Sequence, residues 1–313
     1  MKSMRVSIVV AVRGNTGALH GLATAVQAQD YSAGDLELIV VDNHPAPELP
    51  PGLYQLGSTP CRVVHERRPG LSRARNAGIR QASGEVVLIT DPDARPEPDW
   101  ARRMVAALEA TGAYCAGGRV VPHFTGGAAA EVPADVLQLF VPPTWPQATT
   151  ELAAPYWAVG CNLAISRSPL PQFDTRLGVT GRRHLSCEDL EFTVRAQRTG
   201  RLVVVVPDAV IHRAIHTADL MAVAVWRRAL WHGVSVARLL AIHPSAEIYD
   251  SYRLRDALTP TRLCSRTGRR GAVADVARVV GLRAERLRLA MAGLSTHAAS
   301  AEESATKKGA FHG

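Results

Sequence analysis

Two rhythms of apolar and polar positions alternate along the first two hundred residues. Val6 to Val12, Leu36 to Val41, Val86 to Ile89 and Leu202 to Val206 are short, nearly continuous β-branched runs bounded by Gly, Pro, Asp or Asn. Such runs predict strands covered on both faces of a sheet. Between them, Leu19, Leu22 and Val26, and later Trp100 to Leu108, carry apolar residues at helical spacing. Strand, helix and strand in succession predict βαβ units, hence an α/β domain whose mostly parallel central sheet is flanked by helices. The proline-rich stretch from Pro45 to Pro60 predicts a surface loop, and Cys61 to His65 an edge strand.

The rhythm changes beyond residue 215. Leu220 to Ile242 spaces Met221, Val223, Val225, Trp226, Leu230, Trp231, Leu239 and Leu240 among Arg227, Arg228 and Arg238, which predicts an amphipathic helix. Val273, Val276 and Val280, with Arg278, Arg283, Arg286 and Arg288, predict a second and more basic one. Packing in a helical appendage, a homodimer contact or peripheral attachment to an anionic membrane would each use such a helix. From Ser295 the chain is small and polar, and disorder is expected. The resulting division is a catalytic domain over 1–215, a C-terminal helical extension over 216–294 and a tail over 295–313.

Candidate chemistry sits where the apolar runs stop. Gly84-Glu-Val-Val-Leu-Ile-Thr-Asp-Pro-Asp ends on Asp91 and Asp93. At the carboxyl edge of an open α/β sheet, two such carboxylates can share a hard divalent cation with a diphosphate, although Asp-Pro-Asp also suits a plain turn. Pro92 fixes φ between them and leaves both carboxylates available. Arg13 and Asp42 end the first two strands, where an acid can accept hydrogen bonds from a nucleobase imide or a ribose hydroxyl. In Gly70-Leu-Ser-Arg-Ala-Arg-Asn-Ala-Gly78, Ser72 is a candidate cap for a helix whose first turns would turn Arg73, Arg75 and Asn76 toward a diphosphate.

These pieces together resemble family 2 glycosyltransferases of the GT-A fold. The resemblance is carried by Val-Ser-Ile-Val-Val near the start, Gln29-Asp-Tyr31, Ile39-Val-Val-Asp-Asn43, the Gly70–Gly78 segment and Gly84-Glu-Val through Asp91-x-Asp93, in that order and spacing. It extends to Gly160 and Asn162, which it implies lie beside the donor sugar, and to Cys187-Glu-Asp-Leu-Glu. In that last piece it implies Asp189 as the general base, with Glu188 holding the acceptor or orienting the base. A carboxylate suits the task, because an acceptor hydroxyl must lose its proton as it attacks.

The resemblance further implies inverting transfer from a nucleotide-diphosphate sugar, by default a UDP-sugar, with Arg13 and Asp42 on the nucleoside and Arg73 or Arg75 near the diphosphate. Ala11 and Val12 stand where family members often carry Pro and Thr, so nucleobase contacts there fall to backbone groups and Arg13. Mg²⁺ or Mn²⁺ would be held by Asp91 and Asp93, with His212, or failing it His216, as a further ligand. No Gln-x-x-Arg-Trp signature of processive synthases is present, which favours transfer of one sugar to a hydroxyl of a small molecule, lipid carrier or envelope glycan. A non-catalytic nucleotide-sugar or anionic-headgroup binder on the same fold is the alternative, and a pure binder has no use for the base.

Charge and cysteine content narrow the setting. The 313 residues carry a formal charge of +8, which favours a polyanionic partner. A nucleic-acid partner is not expected, since no recognised module accompanies the basic residues and paired acids at a sheet edge repel phosphates unless a metal is bound. Cys61, Cys115, Cys161, Cys187 and Cys264 are scattered without a Cys-x-x-Cys pair, which fits a reducing compartment. With no signal-peptide pattern and no apolar run of membrane-spanning length, a cytoplasmic protein is expected, possible contact with the membrane's inner face being peripheral.

Overall fold

Four parallel strands set the frame. In the computed structural model, which describes residues 4–14, 16–50, 52–56, 58–126, 132–141, 145–153, 157–244 and 266–309, these are β1 (Val6–Val12), β2 (Leu36–Asp42), β4 (Thr59–His65) and β5 (Val86–Thr90). Between β2 and β4 lies β3 (Gly52–Leu56), antiparallel to β4, where the prolines predicted only a loop. Then follow β6 (Ala94–Pro96), β7 (Cys115–Thr125), β8 (Thr150–Glu151), β9 (Asn162–Ser166) and β10 (Val203–His216). The sheet order is β3-β4-β2-β1-β5-β9-β7-β10-β6, with β8 against β10.

Register places the chemistry. Val12 lies opposite Asp42, Asp42 opposite His65, and Val10 opposite Thr90, so four strands deliver their carboxyl ends to one edge. The chain leaves β1 toward β2 on one side and reaches β5 on the other, the kind of switch point where open α/β sheets bind ligands. Strand β9 enters antiparallel between β5 and β7.

Alternation along each strand divides the core between the two faces. Ile8, Val10, Leu38 and Leu88 pack with Leu22 and Val26 of α1 (Leu19–Gln27) and with Trp100 and Met104 of α3 (Trp100–Thr111). Val9, Ile39, Val41, Val87 and Ile89 face the other way, against Ala74 and Ile79 of α2 (Leu71–Gln81) and Phe192 and Ala196 of α5 (Glu188–Arg198). The short α4 (Ala134–Leu137) lies within the segment over 128–150, part of which falls outside the described residues. Gly70, not Ser72, occupies the cap position of α2 at φ 147°. Ser72 lies one turn position inside, and its Oγ donates to the Leu177 carbonyl at 2.8 Å.

The extension consists of α6 (Ala222–Ile242) and α7 (Arg266–Gly309). Two glycines let them touch backbone to backbone. A Cβ on Gly233 would lie 1.9 Å from the Arg278 carbonyl oxygen, and one on Gly281 2.1 Å from that of Leu230. Arg238 closes the pair on Glu285 at 2.8 Å. Helix α7 continues to Gly309, where disorder was expected; its last turns are rich in Ala, Glu and Lys, all strong helix formers. Residues 310–313 lie outside the described part.

Candidate active site

The tip of β5 and the start of α5 meet through one buried arginine. Arg75, on α2, directs Nη2 to Asp91 Oδ1 at 3.2 Å and Nη1 to Glu188 Oε1 at 2.9 Å, with its side chain 3% exposed. Its guanidinium lies over the Phe173 ring at 5.4 Å. The close approach of Gly160 follows from this arginine, since a Cβ there would stand 2.6 Å from Arg75 Nη1. Arg75 is therefore sealed beneath the carboxylates rather than free to grip a diphosphate, which corrects the role expected of it.

Asp189 lies beside this cluster, fixed by two backbone donors. Gly160 N–H donates to Oδ2 at 2.7 Å and Leu190 N–H to Oδ1 at 2.8 Å. Both acids occupy the first turn of α5, where the helix dipole favours negative charge. Burial first, and the Asp189 charge next, push the Glu188 carboxyl up to about 7 against the pull of Arg75. Cys187, just before them, is the one non-glycine with positive φ, 69°, among the described residues. Backbone in that region stores strain and is concentrated at functional sites.

Asp91 and Asp93 already share one cation. Arg213, on β10, approaches Asp91 Oδ2 at 3.4 Å and Asp93 Oδ2 at 3.9 Å. Burial pushes the Asp93 carboxyl above its usual range, against Arg213 and with the added push of Asp91. Arg228 of α6 stands behind, its Nε donating to the Leu139 carbonyl and its guanidinium over Phe140 at 4.2 Å. Burial, and then repulsion from Arg213, push Arg228 down to about 10. Neither arginine follows from a sequence pattern; only the fold of β10 and α6 brings them to the acids.

His212 is not with the aspartates, contrary to expectation. Neighbouring strand residues point to opposite faces, so with Arg213 toward the acids, His212 turns away and meets Glu97 Oε1 at 3.1 Å. His216 lies nearer, close enough to draw the Asp93 pKa down, and its Nδ1 pairs with Thr125 Oγ1 at 2.7 Å. Among the described residues no three His, Cys, Asp or Glu side chains form a metal-holding group. Two carboxylates on one cation nonetheless fit Mg²⁺ or Mn²⁺, because such ions bind through one or two carboxylates with phosphate oxygens supplying the rest.

Asn162 and Asn76 also serve the scaffold instead of the donor. The Asn162 amide accepts from Trp100 Nε1 at 2.7 Å and donates to the Arg119 and Ala209 carbonyls, and the residue is fully buried. Asn76 exchanges two hydrogen bonds with the backbone of Phe173. Asp42 is buried at the end of β2, where it accepts from His44, Glu48 and Leu49 N–H at 2.9, 2.7 and 3.0 Å and so shapes the loop over 43–49. Ala11 and Val12 end β1 beside it, and Arg13 is exposed. Arg73 is half-buried on α2 and makes no ion pair among the described residues.

Comparison with known proteins bears on this arrangement. Residues 7–152 match the model of Glycosyl transferase family 2. Glycosyltransferase AglE of Haloferax volcanii is 30% identical over 132 residues, 40% of this chain and 43% of that relative, so the chain spans less than half its length. Glucosyl-dolichyl phosphate glucuronosyltransferase of the same organism is 23% identical over 259 residues, covering 75% of this chain and 76% of the relative. Among solved structures, the mannosyltransferase PcManGT from Pyrobaculum calidifontis, in complex with GDP-Man and Mn²⁺, aligns over 97% of this chain and 81% of its own at a TM-score of 0.50 and 19% identity. That likeness shows the fold, the GT-A arrangement expected from the sequence.

Proposed function

We propose that this chain, whose residues 7–152 match the model of Glycosyl transferase family 2, moves one sugar from a nucleotide-diphosphate donor to an acceptor hydroxyl with inversion at the anomeric carbon. The observation that carries this reading is Arg75, whose single guanidinium lies 3.2 Å from Asp91 and 2.9 Å from Glu188. It joins the acids suited to a diphosphate to the acids suited to a base.

Asp189 takes the proton of the acceptor hydroxyl as its oxygen bonds to the anomeric carbon from the face opposite the diphosphate. The bond from that carbon to the diphosphate oxygen breaks, and the electron pair leaves with the nucleoside diphosphate. The backbone N–H groups of Gly160 and Leu190 hold Asp189 in place for this step. Glu188, tied to Arg75, orients the base from below. Arg213 offers positive charge where the departing diphosphate gathers negative charge. Mg²⁺ or Mn²⁺ held by Asp91 and Asp93 would supply Lewis-acid stabilisation of that leaving group. The loop that Asp42 shapes, with Arg13 and the end of β1, receives the nucleoside, uridine being the expected one. The GDP-Man and Mn²⁺ held by the mannosyltransferase PcManGT support a diphosphate donor with a divalent metal.

Thermal-shift measurements with UDP, GDP and dTDP, each with and without Mn²⁺, test the donor site. One nucleotide is expected to raise the melting temperature only when Mn²⁺ is present, and Asp91→Ala with Asp93→Ala is expected to remove the response. A nucleotide response indifferent to both metal and aspartates would overturn the metal assignment.

A further inference from the structure

We propose that the C-terminal extension sets the catalytic base: Ser235 and His232 of α6 are positioning residues that hold the turn at Ser186 and Cys187, and through it the direction in which Asp189 presents its carboxylate. This rests on the transferase reading and adds to that site two residues outside the 7–152 segment that matches the family model.

The start of α5 lacks the usual means of fixing itself. A Ser, Thr, Asp or Asn at a helix cap accepts from the first free N–H groups with its side chain, on an extended backbone. At the cap of α5 stands Cys187, which makes no side-chain cap and has φ 69°. Its carbonyl accepts the first helical bond, from Glu191 N–H at 2.9 Å, so the conformation of this one residue decides where the first turn points. An L side chain keeps that φ only where its surroundings impose it. Glu188 and Asp189 follow directly in the turn so placed.

The imposing contacts come from α6. Ser186 N–H donates to Ser235 Oγ at 2.8 Å, and that hydroxyl donates onward to the Trp231 carbonyl at 2.7 Å. Ser186 Oγ meets His232 Nδ1 at 3.2 Å, and Cys187 Sγ lies 4.0 Å from the same nitrogen. Ser235 is fully buried, and Leu177, Leu190 and Val194 close the space around the turn against Val236 and Leu239. Burial first, then Arg278 and Arg228, push the His232 ring down to about 3, so it stays neutral and its pairing with Ser186 holds through the ordinary pH range.

Helix α6 is itself fixed at this level, since Gly233, between His232 and Ser235, meets the Arg278 carbonyl of α7. Support therefore runs from α7 through α6 to Cys187 and on to Asp189. Of the two N–H groups that hold Asp189, Leu190 moves with the first turn and Gly160 does not. A turn released from α6 carries the carboxylate away from Gly160 and out of line with the anomeric carbon.

Turnover of UDP-glucose, GDP-mannose and dTDP-glucose by the full chain with Mn²⁺ tests this, with water as the acceptor and ³¹P signals giving the rate. In Ser235→Ala, which deletes one buried oxygen, kcat is expected to fall by about tenfold or more, with donor KM and nucleotide affinity within about twofold. Ser186→Ala, which removes only the contact with His232, should lower kcat in the same way by a smaller factor. Ser235→Ala/Cys187→Gly should recover most of the loss, because glycine keeps φ 69° without a tether. Val26→Ala, a cavity on the opposite face of the sheet, should lower the melting temperature at least as far as Ser235→Ala and leave kcat unchanged. Wild-type kcat in both serine variants, a double variant left at the rate of Ser235→Ala, or a Val26→Ala enzyme slowed as much, overturns the proposal while donor turnover by the wild type keeps the transferase reading. If the wild type leaves all three donors intact, that reading falls and takes this proposal with it.

Discussion

Replacing Asp189 by Asn should lower turnover by about 10²–10⁴-fold, the usual contribution of a positioned general base, while nucleotide affinity stays within about twofold. The amide has nearly the shape of the carboxylate but cannot take the acceptor proton. It also has one acceptor oxygen where the carboxylate has two, so either Gly160 or Leu190 N–H loses its partner. That loss costs about 1 kcal/mol, visible as a small fall in melting temperature and far too small to explain the lost rate. Steady-state rates, nucleotide calorimetry and a melting curve on the same preparation separate the two effects. Unchanged turnover would remove Asp189 from the mechanism.

Arg75→Met should damage both the fold and the site. Nothing in the sequence marks this arginine as deeply buried, yet its side chain is 3% exposed and that of Glu188 8%. Methionine keeps most of the volume but leaves Glu188 without a cation and Asp91 with Arg213 alone, at 3.4 Å, a loss of about 3–5 kcal/mol for breaking a buried pair. Lysine should rescue little, because one ammonium cannot reproduce two directed contacts from a planar fork. The double variant Arg75→Met/Glu188→Gln removes part of the uncompensated charge. It should recover melting temperature without recovering turnover, the signature of a residue that positions the acids as well as supporting them. Recovery of both would reduce Arg75 to a packing role.

Strand positions were legible because buried parallel strands are written as β-branched runs, and the acids at their ends followed from strand polarity alone. Asp91, Asp93, Glu188 and Asp189 are brought together as their order along the chain suggested. Pair partners were less legible. Arg75 reads as a solvated helix arginine until α5 closes over it, and Arg213 differs from His212 only in which face of β10 it takes. Asn162 shows the converse. Its neighbourhood with Gly160 in sequence suggests a shared place at the donor, but the first residue of β9 turns its amide into the sheet toward Trp100. The strand β3 was hidden by the prolines around it, and the length of α7 by a polar composition that favours helix as readily as coil.

The account stands or falls on breaking a bond between a sugar and a nucleoside diphosphate at the edge formed by Asp91, Asp93 and Asp189. Following the ³¹P signals of UDP-, GDP- and dTDP-sugars incubated with the protein and Mg²⁺ measures that directly. One of them should be converted to its nucleoside diphosphate, faster with a suitable acceptor than without, and the conversion should stop when the metal is chelated. A panel left intact, by a protein that binds none of the nucleotides, would contradict the account.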